Sequence, residues 1–137
     1  MYRLAYVSTA HPAVTSSDLQ DILEAAIRNN SEAQVTGTLL FNGVNFMQIL
    51  EGERSAVEKI YDRISVDARH NHIVTIFEEE NASRTFAESA MLLQAVKSEV
   101  GKLPKGMKVS DNFELYVPAN LPTHVRQMLR AFNTRKA

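Results

Sequence analysis

The sequence has 137 residues, a length that predicts one domain with a single modest core. Its 15 basic and 16 acidic residues give a net charge of −1, which speaks against nucleic acid or an anionic membrane as a partner, because both require a basic excess. The sequence contains neither cysteine nor tryptophan. The absence of cysteine excludes disulfides, thiolate metal sites and cysteine nucleophiles. The chain starts directly in a strand pattern and has no membrane-spanning apolar run, so we expect a cytoplasmic protein.

The first elements alternate between strand and helix patterns. Residues 2–8 are rich in β-formers, and their period of two places Leu4, Tyr6 and Ser8 on one face. The spacing from Ser17 to Gln20 is that of a capping box and predicts the start of a helix. Its apolar stripe consists of Leu19, Ile22, Leu23, Ala26 and Ile27, and it is expected to end at Asn29–Asn30.

A hairpin and a second helix follow. Residues 35–41 and 45–51 are apolar runs joined around Asn42–Gly43, a pair that favours a tight turn. Ser55 and Glu58 repeat the capping-box spacing before a helix that ends near 67–70. The apolar stripe of this helix is Val57, Ile60, Tyr61 and Ile64. Strands are predicted at 72–77 and 90–96, which completes the order βαββαββ.

This order predicts an α+β fold, a ferredoxin-like sheet that is mostly antiparallel, with both helices on one face. We expect a core domain over 1–97 and a C-terminal helical extension over 98–137. The extension contains a helical stripe after Thr123, formed by Val125, Met128, Leu129 and Phe132. This helix is expected to cover the other face of the sheet or a partner.

Two polar residues are predicted to face the same side of the sheet as the helices. Gln48 alternates with Phe46 and Leu50 and therefore lies on an otherwise apolar face, where a buried amide needs hydrogen-bond partners. Tyr6 lies on the first strand and is able to face the helices beside it. The ordinary interpretations are a backbone contact for Gln48 and core packing for Tyr6.

Other polar positions have equally ordinary interpretations. Asn29 and Asn30 suit a helix C-terminus. Arg63 and Asp67 have the spacing of a surface ion pair, the alternative being ligands that reach into a cleft between the helices.

Signatures of conventional catalysis are weak. His70 and His72 would share a strand face, but no third metal ligand is near in sequence. The chain has no recognisable catalytic triad signature, glycine-rich phosphate loop or patterned carboxylate pair. We therefore predict that the chain is not an enzyme and binds no metal.

Five segments, taken together and in this order, carry a resemblance to a known family. They are Arg3–Ser8, Asn29–Asn30, Val35–Phe41, Phe46–Gly52 and Asp67–His70. Over residues 2–96 the chain resembles a BLUF domain, a blue-light sensor that uses a flavin. The resemblance implies a ferredoxin-like sheet with the flavin between its two helices, which agrees with the element order above.

The resemblance also implies roles for individual residues. Tyr6 matches the photoactive tyrosine, and Gln48 matches the glutamine that hydrogen-bonds both this tyrosine and the flavin. Light would drive electron and proton transfer from Tyr6 and rearrange Gln48, giving a reversible red-shifted state. The implied flavin contacts are Ile22, Asn29, Asn30, Gln48, Arg63, Asp67, Arg69 and His70, with Ser8 and Ser89 behind the photoactive residues. The implied cofactor is FAD, with FMN or riboflavin as alternatives.

One position departs from the family pattern. Ser89 stands where the family usually has a tryptophan, whereas Met91, the partner of that tryptophan in signal transmission, is retained. We expect the signal to pass to a separate protein or to the oligomeric state. Two alternatives are a BLUF-like interaction module without flavin and a small ferredoxin-like hydrolase that uses arginine and asparagine.

Overall fold

In the residues that it describes, a computed structural model of the chain shows six strands and three helices. It describes residues 1–11, 15–41, 45–67, 70–80, 84–86, 92–95, 108–109 and 121–134. In chain order the elements are β1 (Tyr2–Ala10), α1 (Ser16–Glu32), β2 (Thr36–Phe41), β3 (Asn45–Gly52), α2 (Arg54–Ser65), β4 (His70–Glu79), β5 (Leu92–Ala95), β6 (Lys108–Val109) and α3 (Thr123–Thr134). Among the described helices, none has the length and apolar character needed to cross a membrane.

The strands form one sheet in the order β4-β1-β3-β2-β5-β6. The four strands from β4 to β2 pair in antiparallel fashion, whereas β5 joins β2 in parallel and β6 joins β5 in parallel. The predicted α+β class with a ferredoxin-like sheet is therefore confirmed. The two-residue strand β6 was not anticipated, because so short a run has no readable period.

The helix boundaries differ from the sequence expectation. Thr15, rather than Ser17, caps α1, and it forms a reciprocal capping box with Asp18. The helix also continues past Asn29–Asn30, because the left-handed residue that turns the chain is Gln34, at φ 57°. Helix α2 begins after Glu53 with no side-chain cap, so the predicted capping box at Ser55 was wrong.

Two apolar cores lie on opposite faces of the sheet, because alternate strand residues point to opposite sides. The core on the side of α1 and α2 includes Tyr2, Leu4, Tyr6, Ile22, Val35, Leu39, Phe41, Phe46, Leu50, Val57 and Ile60. The core on the side of α3 includes Ala5, Leu40, Met47, Ile49, Phe86, Leu121, Val125 and Leu129. The expected cover of the second sheet face by the C-terminal helix is confirmed, while the domain boundary at 97 remains a prediction.

Candidate functional site

A cavity of about 170 Å³ lies between α1, α2 and the sheet. Its lining residues are Tyr6, Ile22, Ala25, Ala26, Asn29, Asn30, Leu39, Gln48, Ile60, Arg63, Ile64 and Asp67. Seven of these residues are ones that the sequence singled out: Tyr6, Ile22, Asn29, Asn30, Gln48, Arg63 and Asp67. The fold thus gathers them from two strands, two helices and the turn after α2. We call this cavity the helix cleft.

Tyr6 and Gln48 form the inner polar pair of the helix cleft. They are direct cross-strand partners on β1 and β3, and both side chains lie on the helix side of the sheet. The Tyr6 hydroxyl donates a hydrogen bond of 2.5 Å to Gln48 Oε1, and the two residues are only 1% and 2% exposed. Because the amide oxygen of Gln48 accepts this bond, its NH₂ group is turned away from the tyrosine oxygen.

The surroundings of Tyr6 keep it protonated. Burial raises the pKa of Tyr6 above its ordinary value, and the nearby Tyr61 and Asp67 raise this pKa further. Removing the proton would leave a phenolate in a buried site, where the charged form is poorly solvated. At neutral pH Tyr6 is therefore a neutral phenol, and its hydroxyl proton is donated to Gln48.

A second tyrosine packs against the first. The ring of Tyr61 on α2 meets the ring of Tyr6 edge-on, with 5.6 Å between the ring centres. The Tyr61 hydroxyl lies 2.9 Å from Thr75 Oγ1 on β4. Sequence reasoning placed Tyr61 in an apolar stripe and missed this neighbour. Its helical phase, facing the sheet beside Ile60, was the one signal that could have located it.

The two asparagines lie on the last turns of α1. Asn30 is fully buried, and its backbone carbonyl accepts a hydrogen bond of 2.8 Å from Val35 N. Its Oδ1 atom accepts no hydrogen bond from the described residues, although other atoms of Asn30 do interact. Asn29 is half-buried and lines the same cleft. The interpretation as a mere helix end is therefore insufficient for this pair.

Charged residues surround the outer part of the cleft. Arg63 is exposed and Asp67 is half-buried, and both line the helix cleft. A second cavity of about 350 Å³ adjoins it, since Asn29, Ile60 and Arg63 line both. Lys59, one turn before Arg63 on α2, lines the second cavity and was missed in the sequence. The spacing of four between these two basic residues was the available signal.

The remaining candidate residues either do not line the helix cleft or have side chains that the structure does not describe. Ser8 is buried on β1, but it is not a lining residue of the cleft. Arg69, Ser89 and Met91 lie outside the described residues, and of His70 only its place at the start of β4 is described. No cluster of three or more potential metal ligands occurs in the described part of the chain.

The chemistry of the cleft fits a flat, partly polar ring system. Ile22, Leu39 and Ile60 supply apolar walls, and Gln48 and Asn30 supply amide donors and acceptors at the buried edge. A flavin ring has two extended faces and one edge of carbonyl and N–H groups, which is the pattern that such a lining recognises.

Comparison with known proteins identifies the family. The sequence profile of the BLUF family, "Sensors of blue-light using FAD", matches residues 1–92. A photoactivated adenylate cyclase subunit beta of Euglena gracilis is 31% identical over 96% of this chain and 16% of its own length. The blue light- and temperature-regulated antirepressor BluF of Escherichia coli is 39% identical over 55% of this chain and 19% of its own length. The chain thus spans under a fifth of the length of these curated relatives.

Solved structures agree with the sequence comparison. The dark-state structure of BlrB, a BLUF protein, has 36% identity and a TM-score of 0.63, and the match covers 66% of this chain and 68% of BlrB. The structure of Klebsiella pneumoniae BlrP1 with FMN and cyclic diGMP has 26% identity and a TM-score of 0.74, with 96% of this chain and 34% of BlrP1 covered. On the profile match, these relatives and the shared fold, the chain belongs to the BLUF family of flavin-based blue-light sensors.

Proposed function

We propose that this chain is a blue-light photoreceptor that holds a flavin without a covalent bond in the helix cleft. The observation that carries the proposal is the buried 2.5 Å hydrogen bond from Tyr6 to Gln48 Oε1 at the inner end of that cleft. When bound there, a flavin supplies a blue-absorbing chromophore that is a strong oxidant in its excited state. Since the chain lacks cysteine, a thiol adduct is excluded and the photocycle must use other residues.

Tyr6 and Gln48 are proposed as the photoactive residues. A phenol is a good electron donor, and the Tyr6 proton already lies on a short path to the Gln48 amide oxygen. Loss of an electron and this proton from Tyr6 removes the donor that fixes the amide. Gln48 then rearranges, by rotation or tautomerisation, and offers a stronger hydrogen bond to the ring edge. Return of both the electron and the proton to Tyr6 restores the starting arrangement, so that nothing is consumed.

Other residues of the cleft are proposed to hold the cofactor. Asn30 and Gln48 contact the polar edge of the ring, and Ile22 packs on its face. Arg63 and Asp67 contact the sugar-alcohol chain at the mouth, with Asn29 beside them. The proposed contacts of Arg69 and His70, and the proposed part of Met91 in signalling, rest on the family resemblance alone. We propose FAD as the native flavin, in line with the family description.

The test is an absorption spectrum of the purified protein before and after blue illumination. We expect a flavin band that shifts to the red and recovers in darkness. Tyr6→Phe and Gln48→Leu are each expected to keep flavin bound and to abolish the reversible shift. A normal photocycle in either variant would contradict the assigned roles. Protein that stays colourless after flavin supplementation would instead indicate an interaction module.

Two matched controls lie beside the photoactive pair. Tyr61→Phe removes a hydroxyl that meets Thr75 rather than Gln48, so this variant should keep the red shift. Asn45→Ala removes an amide of β3 whose Nδ2 reaches Ser8 O and Thr9 Oγ1, away from the cleft lining. Loss of the shift in both controls would show that any disturbance near the photoactive pair, whether in the sheet or on α2, abolishes the photocycle.

Output is proposed to pass to an effector protein. Two relatives are named as a photoactivated adenylate cyclase subunit and an antirepressor, and we propose by analogy that this domain also controls a partner. Comparison of the hydrodynamic size in darkness and in light tests the alternative, a change in oligomeric state. A light-dependent change in mass of the purified protein would support self-association.

A further inference from the structure

A buried ion pair joins β1 and β3 on the face of the sheet opposite to the helix cleft. Arg3 and Glu51 are 3% and 0% exposed, and Arg3 Nε donates to Glu51 Oε2 at 2.8 Å. The other arms of the guanidinium donate to Glu79 Oε2 at 2.6 Å and to Thr85 Oγ1 at 2.7 Å. The remaining oxygen of Glu51, Oε1, accepts backbone N–H bonds from Thr85 and Phe86 at 2.7 and 2.9 Å.

This network extends to the C-terminal helix by two routes. Glu79 Oε1 also contacts His124 Nε2 on the first turn of α3. Phe86, held through its backbone N–H by Glu51, belongs to the core in which Val125 and Leu129 of α3 are buried. We use the term Arg3 network for Arg3, Glu51, Glu79, Thr85 and His124.

The Arg3 network and the proposed photoactive pair belong to the same ladder of two strands. Tyr6 pairs with Gln48, and three pairs further along the same strands Arg3 pairs with Glu51. Because side chains alternate between faces, Gln48 lies in the cleft while Glu51 lies under α3. A change in the spacing or twist of β1 against β3 therefore acts on both faces.

We propose that the Arg3 network transmits the light-induced change from the Tyr6–Gln48 pair to α3. This inference rests on the proposed photoreceptor function. Tyr6 donates a short hydrogen bond to Gln48 across the β1–β3 ladder, and a rearrangement of this bond would alter how the two strands pack against each other. Arg3 lies between two carboxylates, so a small strand movement shifts its bonds from Glu51 toward Glu79 or the reverse. A guanidinium fork responds strongly to such a movement, because charge-assisted bonds depend on distance and alignment.

Arg3 and Glu51 are positioning residues in this scheme, and neither of them lines the helix cleft. The shared element with two arrangements is the Arg3 fork, which the Tyr6–Gln48 pair would bias from one side and α3 from the other. The network reaches α3 by one route through Glu79 and His124. It reaches α3 by a second route through Thr85 and Phe86. The route does not use the position of the family tryptophan, which is Ser89 here.

The test compares hydrogen–deuterium exchange of α3 in darkness and under blue light, with the absorption spectrum of the same samples as a second readout. The wild-type protein is expected to show the red shift and a light-dependent change in the exchange of α3. Glu79→Gln, at the partly exposed end of the network, should keep the full red shift and lose most of the light-dependent exchange difference. Glu51→Gln keeps an acceptor for the two backbone N–H groups and should behave in the same way.

A matched control is Glu80→Gln, because Glu80 is adjacent to Glu79 but pairs with Arg54 outside the network. This variant should retain both the red shift and the exchange difference. Two results would overturn the inference while leaving the photoreceptor function intact: a red shift with no change at α3 in the wild-type protein, or an unaltered exchange difference in both network variants. Absence of the red shift in the wild-type protein would overturn the proposed function and this inference with it. A general loss of folding in Glu51→Gln would appear as faster exchange throughout the chain, and Glu79→Gln then decides.

Discussion

Replacement of Arg3 by methionine tests how the buried charges stabilise the sheet. The substitution keeps an unbranched apolar side chain but leaves the carboxylate of Glu51, which is 0% exposed, without its cation. Among the described residues, the backbone N–H groups of Thr85 and Phe86 then remain as the donors to Glu51. Removing one partner of a buried ion pair costs about 3–5 kcal/mol. Since a domain of this size is stable by roughly 5–15 kcal/mol, Arg3→Met should remove a large fraction of the unfolding free energy.

The reverse substitution should cost less. In Glu51→Gln the amide oxygen still accepts the two backbone N–H bonds, and Arg3 keeps Glu79 as its counter-ion at 2.6 Å. The remaining penalty is one poorly matched contact between the glutamine NH₂ group and Arg3 Nε, about 1–3 kcal/mol. The order of the two costs follows from the structure, because within the described part of the chain Arg3 has a second charged partner and Glu51 does not.

Urea unfolding at neutral pH measures both costs from the midpoint and slope of the transition. Arg54→Met is the control, because Arg54 also pairs with two glutamates but is more than half exposed; it should change the unfolding free energy least of the three. Equal costs for Arg3→Met and Glu51→Gln, or the opposite order, would refute the assignment of Glu79 as a second counter-ion.

Three further predictions concern the cleft and the sheet. In flavin-free protein, a double-mutant cycle with Tyr6→Phe and Gln48→Leu should give a coupling of about 1–2 kcal/mol in urea unfolding, because each single variant already removes the hydrogen bond between the two buried side chains. Additive costs would contradict this hydrogen bond. Because burial raises the pKa of Tyr6, the folded state holds this proton more tightly than the unfolded state, so the resulting stability is complete below about pH 10 and is lost as the pH rises further. Above that pH the wild-type unfolding free energy should fall more steeply than that of Tyr6→Phe, by about 1.4 kcal/mol per pH unit, and parallel curves would disprove the shift. Gly37→Ala should cost at least about 3 kcal/mol of unfolding free energy, because its new Cβ would lie 1.8 Å from the carbonyl oxygen of Ile49. Gly52→Ala is the milder comparison, since its new Cβ would meet the side chain of Val35 at 3.0 Å and other atoms at longer distances. Equal costs for the two variants would contradict the tight β2–β3 contact.

Local sequence patterns were sufficient for the arrangement of the cleft face. The period of two placed Gln48 beside Phe46 and Leu50, and all three are buried on the helix side of the sheet. The same rule placed Tyr6 on the face of β1 that packs against α1 and α2. Patterns of this kind succeed because they depend on contacts within one element, where spacing alone decides which face a side chain occupies.

The ends of the helices were less well predicted. Thr15 caps α1 in place of Ser17. Both residues carry a hydroxyl group and both are followed three positions later by a side chain that can complete a capping box, so the sequence alone does not distinguish them. Asn30 was expected to stop the helix, but it is buried at the cleft because the chain turns only at Gln34. Which of several competent residues ends a helix is decided by the packing of the next element.

The sequence by itself determined the fold class, the faces of the central strands and the family resemblance that singled out the Tyr6–Gln48 pair. The tertiary structure alone decided which residues meet across the sheet: Tyr6 with Gln48, 42 positions apart, and Arg3 with Glu51 and Thr85, 48 and 82 positions apart. Strand register sets these pairings, and a shift by one residue would move every side chain to the other face. For that reason no local sequence pattern predicted the Arg3 network, whose residues meet only when distant strands pair.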